Sequence, residues 1–89
     1  MPRYFFHIQE DESSLDDEGI ELDDAEAARQ EALRTSGGIL RDGDSARLWS
    51  GRPWRLWVTD QPRGLGNTLF TIEILATEEN VADLPAQRP

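Results

Sequence analysis

The residues able to do chemistry in this chain are few, and each sits in a setting that limits it. His7 is the sole histidine. An imidazole acts as a general base when a nucleophile lies within hydrogen-bond reach and a carboxylate orients its other nitrogen. Ser and Asp are plentiful, yet no spacing assigns one of them to His7. The acids Glu10, Asp11, Glu12, Asp16, Asp17 and Glu18 make a second cluster. A calcium loop needs oxygen ligands wrapped around one ion, with a glycine at the sharp turn. This stretch lacks the D-x-[DN]-x-[DN]-G order, so we read it as a solvated loop that holds no metal. Its neighbouring carboxylates have no pocket in which to act as a hydrolytic pair. Gly64-Leu65-Gly66 lies between two strand-like segments with no helix start behind it, so it reads as a turn and not as a phosphate cradle.

Two absences narrow the chemistry further. Without Cys there are no disulfides, thiolate metal sites or cysteine nucleophiles. Every basic side chain is Arg or the lone His, so Schiff-base chemistry and a P-loop lysine are excluded as well. No catalytic residue, metal ligand or cofactor is assigned, and the protein is expected not to be an enzyme.

The strongest functional signal is aromatic. Trp49, Trp54 and Trp57 cluster with Arg52 and Arg55, and Trp and Arg are the residue types enriched at interface hot spots. Aromatic rings beside arginines also suit the stacking of single-stranded bases. The formal charge of −9 works against that, because nucleic acid is held mainly through counterion release by cations. It equally disfavours an anionic membrane surface. No segment reaches the ~20 apolar residues of a membrane span, and the short apolar run at Tyr4–Ile8 meets acid at once, unlike a signal peptide. A cytoplasmic protein is expected.

These side chains need elements to position them. Residues 3–9 read as a strand, with Tyr4, Phe6 and Ile8 on one face and Phe5 and His7 on the other. Residues 9–18 read as a loop or wide turn. Gly19–Leu22 reads as a second short strand with Ile20 and Leu22 inward. Asp23-Asp24-Ala25-Glu26 has the form of a capping box, and Ala25, Ala28, Ala32, Ser36, Ile39 and Leu40 keep one stripe at ~100° per residue. That stripe runs straight through Gly37-Gly38, so one helix is expected from Asp24 to about Arg41. Asp42 to Arg52 reads as a loop in which Trp49 caps one end of the helix. Pro53 to Asp60 and Thr68 to Ala76 read as strands joined by a turn.

The order β-β-α-β-β predicts an α+β domain over residues 1–76: one antiparallel sheet with a single long helix across one face. Residues 77–89 read as a flexible tail. Tyr4/Phe6/Ile8, Trp54/Leu56/Val58 and Phe70/Ile72/Ile74 form the expected core. One helix covers one face, so the opposite face, with Phe5, His7, Arg55, Trp57, Thr59, Leu69 and Thr71, is expected to be open.

The opening M-P-R-Y-F-F-H, the loop ending D-x-E-G-x-E-L, the helix segment A-R-x-E-A-L-R, L-W-S-G-x-x-W-R-x-W-V-T-D and L-F-T-I together resemble a family of short uncharacterised bacterial proteins known as a domain of unknown function. The resemblance covers roughly residues 1–76. It implies a bacterial cytosolic origin and a helix continuing through Gly37-Gly38, and it carries no activity.

The function expected is a non-enzymatic interaction module that self-associates, as a homodimer, or binds a protein partner. Phe5, His7, Arg55, Trp57 and Thr59 are its contact residues. The alternative is a regulatory module engaging nucleic acid directly or through a partner.

Overall fold

The computed structural model describes residues 1–42 and 46–77. Its elements are β1 (Arg3–Gln9), β2 (Ser13–Ser14), β3 (Ile20–Glu21), α1 (Ala25–Asp42), α2 (Ala46–Trp49), β4 (Trp54–Thr59), a 3₁₀ turn (Pro62–Gly64) and β5 (Thr68–Ile74). The expected α+β class and the single antiparallel sheet are present. The order along the sheet is β2-β1-β4-β5, and β3 also pairs with β1. The two-residue strands β2 and β3 thus share one edge of β1. One joins at Ile8 and Gln9, the other at Arg3 and Tyr4.

The helix begins where an aspartate can cap it. Asp24 Oδ1 accepts the Ala27 N–H at 2.9 Å, satisfying one of the donors that a helix start leaves unpaired. The cap is Asp24 and not Asp23, so Glu26 does not close a capping box. It pairs with Arg29 and Gln30 one turn on. The helix continues through Gly37-Gly38 as expected, and a side-chain carbon at either would meet open space. Ala28, Ala32 and Ser36 are buried, and their small size lets the helix seat closely on β4. Several residues expected inward or packed lie outward instead: Ala25 is exposed, Leu40 is 44% exposed, Ile20 40% and Trp49 50%. The segment expected as a loop contains the single turn α2, whose last residue, Trp49, faces solvent where a packed cap was expected.

The core lies between α1 and the sheet face expected for it. Tyr4, Ala28, Ala32, Trp54, Leu56 and Val58 are its buried members, with Phe6, Ile8, Leu22, Ile39, Phe70, Ile72 and Ile74 packed half-buried around them. Among the described residues Ser36 Oγ and Trp54 Nε1 have no hydrogen-bond partner, though both are buried, which costs stability in an otherwise apolar layer. The expected tail falls outside the described residues beyond Thr77.

Candidate functional site

The reverse face of the sheet, expected to be open, is largely covered by the chain itself. Phe5 is 6% exposed, and His7 and Thr59 are wholly buried. These three expected contact residues therefore cannot meet a partner directly, and their place on an open face is corrected. Two loops close over them. Residues 15–19 fold back along β1, and the 3₁₀ turn Pro62–Gly64 folds back from β4. The Arg63 N–H donates to the Asp16 carbonyl at 2.9 Å, and the Arg63 Nε donates to Asp17 Oδ1 at 2.9 Å. The backbone at Arg63 sits at φ 62°, a left-handed conformation uncommon for a side-chain-bearing residue. The clasp between the two loops accompanies it.

Asp16 is the centre of this clasp. β2 and β3 pair with the two ends of β1 and leave its middle bare. There the Asp16 carboxylate stands in for a strand, accepting the Phe6 N–H on Oδ2 at 3.1 Å. Its Oδ1 accepts the Glu18 and Gly19 N–H groups at 3.0 and 3.1 Å. Burial pushes this carboxyl up, but the hydrogen bonds from Gly19, Phe6 and Glu18, with a contribution from His7, outweigh it. The net pKa lies below the ordinary 3.8. Gly19 follows at φ 70°, packed so tightly that a side-chain carbon there would lie 2.8 Å from Arg3 Cγ and from the Phe5 ring.

His7 is held on both ring nitrogens. The Asp16 N–H donates to Nδ1 at 3.0 Å. Nε2 accepts the Gly64 N–H at 3.1 Å and lies 2.8 Å from Thr59 Oγ1. The Thr59 hydroxyl donates to the Gln61 carbonyl at 2.6 Å, so its oxygen is free to accept. A backbone N–H thus faces each ring nitrogen, so a proton on either one meets a donor. Burial first of all lowers the His7 pKa below the ordinary 6.5, and the Asp16 charge opposes this only in part.

The trio Thr59, His7 and Asp16 contains the residue types of a nucleophile, base and orienting acid, but its protons are arranged the other way. In such a triad the carboxylate accepts from Nδ1–H, leaving Nε2 free to take a proton from the hydroxyl. Here each ring nitrogen faces a backbone N–H, and the hydroxyl is turned to a carbonyl. The arrangement locks two loops to the sheet.

Arg55 and Trp57 remain accessible on this face. Arg55 is exposed and Trp57 half-buried. The Arg55 guanidinium lies 5.3 Å from the centre of the Trp57 indole, within cation–π range, and the indole packs on His7 with ring centres 5.1 Å apart. Trp54 is buried in the core on the other face, and so takes no part in this surface. Among the described residues no cluster of His, Asp or Glu is placed to hold a metal ion, and no helix is long and apolar enough to cross a membrane. An open groove of about 590 Å³ runs beside β1, floored by Phe6 and Ile8 and rimmed by Asp17 and Glu18.

What sequence reasoning missed is the place of β5 at the edge of the sheet. Its outer edge has no strand partner among the described residues, Leu69 is 42% exposed, and Phe70, Ile72 and Ile74 stay half-buried because the helix seats on β4. The alternation in T-L-F-T-I-E-I was visible in the sequence, whereas the strand's place at the edge was not.

Comparison with curated proteins and with solved structures returns no match. Residues 3–75 match the family described as Domain of unknown function (DUF6894). The edge clasp, the capped helix and the β4–β5 hairpin all lie within that span, and the chain belongs to the DUF6894 family.

Proposed function

We propose that this domain is a small non-enzymatic protein-interaction module of the cytoplasm, meeting its partner on the β4–β5 half of the sheet. The observation that supports it is the incomplete cover of β5. Phe70, Ile72 and Ile74 lie half-exposed on the helix side of a strand whose outer edge is unpaired among the described residues. A monomer leaves such a strand in water at a cost in both apolar area and unpaired backbone groups. The reverse side of the same region carries the Arg55–Trp57 stack, a pairing suited to a hot spot. The contact set is therefore Arg55, Trp57 and the β5 side chains. Phe5, His7 and Thr59 support it from beneath.

The test compares tagged wild type with the double variant Arg55→Glu/Thr71→Lys in co-purification from the source cells, with each retained protein then produced pure and rebound. A partner (a second copy included) that binds wild type and loses at least about tenfold in affinity for the double variant supports the reading. Retained sets that are identical for the two proteins overturn it.

A further inference from the structure

We infer that the partner of β5 is a second copy of this chain, added edge to edge and antiparallel about a two-fold axis at Thr71. This rests on the interaction reading above and names its occupant.

The first ground is the contrast between the edges. Exposed strand edges are ordinarily defended by shortness, proline, bulges or charge. The β1 edge carries two strands of two residues each and the acid-rich loop between them. β5 is seven residues long, T-L-F-T-I-E-I, without proline and with Glu73 as its only charge. Its register irregularity is confined to one end, beside Val58/Thr59. Such a strand suits pairing.

The second ground is self-complementarity. Facing residues in an antiparallel pair point to the same side, so a two-fold pairing keeps odd positions opposite odd ones. With Thr71 opposite its own copy, Phe70 faces Ile72 twice on the helix side. Aromatic–β-branched and Thr–Thr pairs are both favourable across strands. Because Leu56 pairs with Ile72 and Val58 with Phe70, the rows Leu56–Ile72 and Phe70–Val58 join into one apolar row of four across the junction. Glu73 then faces Leu69 and stands apart from its twin. Centring the axis on Glu73 would instead oppose two carboxylates.

The third ground is charge. Each chain carries −9, which resists association, but the loop acids Glu10 to Glu18 lie at the far edge. In an eight-strand sheet ordered β2-β1-β4-β5-β5-β4-β1-β2 the two acidic edges are roughly 34 Å apart at ~4.8 Å per strand. That is several times the ~8 Å screening length of physiological salt. The strands that touch are nearly neutral.

The chain has no cysteine, so single substitutions report the register directly. Thr71 and Leu69 are both exposed, and replacing either leaves the monomer core intact. Light scattering across a concentration series should give twice the monomer mass for wild type. Under mild oxidation Thr71→Cys should cross-link to a dimer at least about tenfold faster than Leu69→Cys, since only at Thr71 do the two copies face each other within disulfide reach. A mixture of Leu69→Cys with Glu73→Cys should cross-link as the heterodimer. A monomer at every concentration, or a dimer in which Thr71→Cys cross-links no faster than Leu69→Cys, overturns the inference. A monomer that still binds another protein through Arg55 would overturn it while leaving the interaction reading standing.

Discussion

The two edges of this sheet solve the same physical problem in opposite ways. Both β1 and β5 have backbone groups on their outer sides that demand partners. β1 finds them inside the chain: β2 and β3 at its ends, and between them the Asp16 carboxylate on the Phe6 N–H. The loop that does this also carries the surface acids and tucks over the reverse face to bury Phe5 and His7. β5 has no such loop within the described residues, and from Leu69 to Ile74 its positions alternate between exposed and half-buried apolar. One edge is finished by the fold, and the other is available to be finished by association. Substitutions at the β1 edge should therefore change folding, whereas substitutions at the β5 edge should change association.

The largest effect expected is at His7. Replacing it with Ala strands the Asp16 and Gly64 N–H groups in a buried space, and should cost about 3 kcal/mol in urea unfolding. A loss no larger than that of an exposed substitution would show that the clasp contributes nothing. Asp16→Ala comes next at about 2 kcal/mol, because three backbone N–H groups lose a charged acceptor. Its loss should appear first as faster hydrogen exchange at Phe6, Glu18 and Gly19, and unchanged exchange there would refute the strand-replacing role. Gly19→Ala should cost roughly 1–2 kcal/mol, from the positive φ and the collision with Phe5.

A pH series sharpens the same edge. The folded His7 pKa is lowered from 6.5, so the unfolded chain takes up the proton first. Its stabilising contribution is whole above pH 6.5 and is lost as pH falls from there through the folded value. Asp16 contributes in full above 3.8 and loses its share as pH falls through its own lowered pKa. Urea midpoints should drop between pH 7.5 and 5, and His7→Gln should flatten that drop. Equal slopes for the two proteins would assign the acid sensitivity elsewhere.

The smallest folding effect is expected at the β5 edge. Thr71→Lys leaves the dilute melting curve unchanged while opposing two cations across the proposed junction. Sedimentation should show weaker association at low salt that recovers as salt rises. A large loss of monomer stability instead would mean that Thr71 supports the fold itself.

Much of this was legible in the residues alone. The alternation in Trp54–Thr59 and Thr68–Ile74 placed both strands and their inward faces, because a pleat turns every second side chain the same way. The helix was legible through its two glycines because Ala28, Ala32, Ser36 and Ile39 kept one stripe across them. The site was legible only in part. Arg55 and Trp57 are where the aromatic–cation pattern put them, but Phe5, His7 and Thr59 are buried by segments that no periodicity announces. The D-x-x-G spacing of Asp16 to Gly19 does signal a side chain capping its own turn. It does not say that the same carboxylate also completes a strand edge, since that depends on where β1 lies.

The sequence by itself determined the long helix, the three long strands with their inner faces, and the exclusion of thiol and lysine chemistry. Those properties follow from side-chain type and from spacings of two and 3.6 residues, which act within a few positions along the chain. Tertiary structure alone decided that the reverse face would be closed and that β5 would be an edge. Both depend on contacts between distant segments, His7 with Thr59 and Gly64, and Asp16 with Phe6 and Arg63. A hydrogen bond of that kind has no signature in either partner's neighbourhood, because its free energy exists only once the whole chain has brought the two groups together.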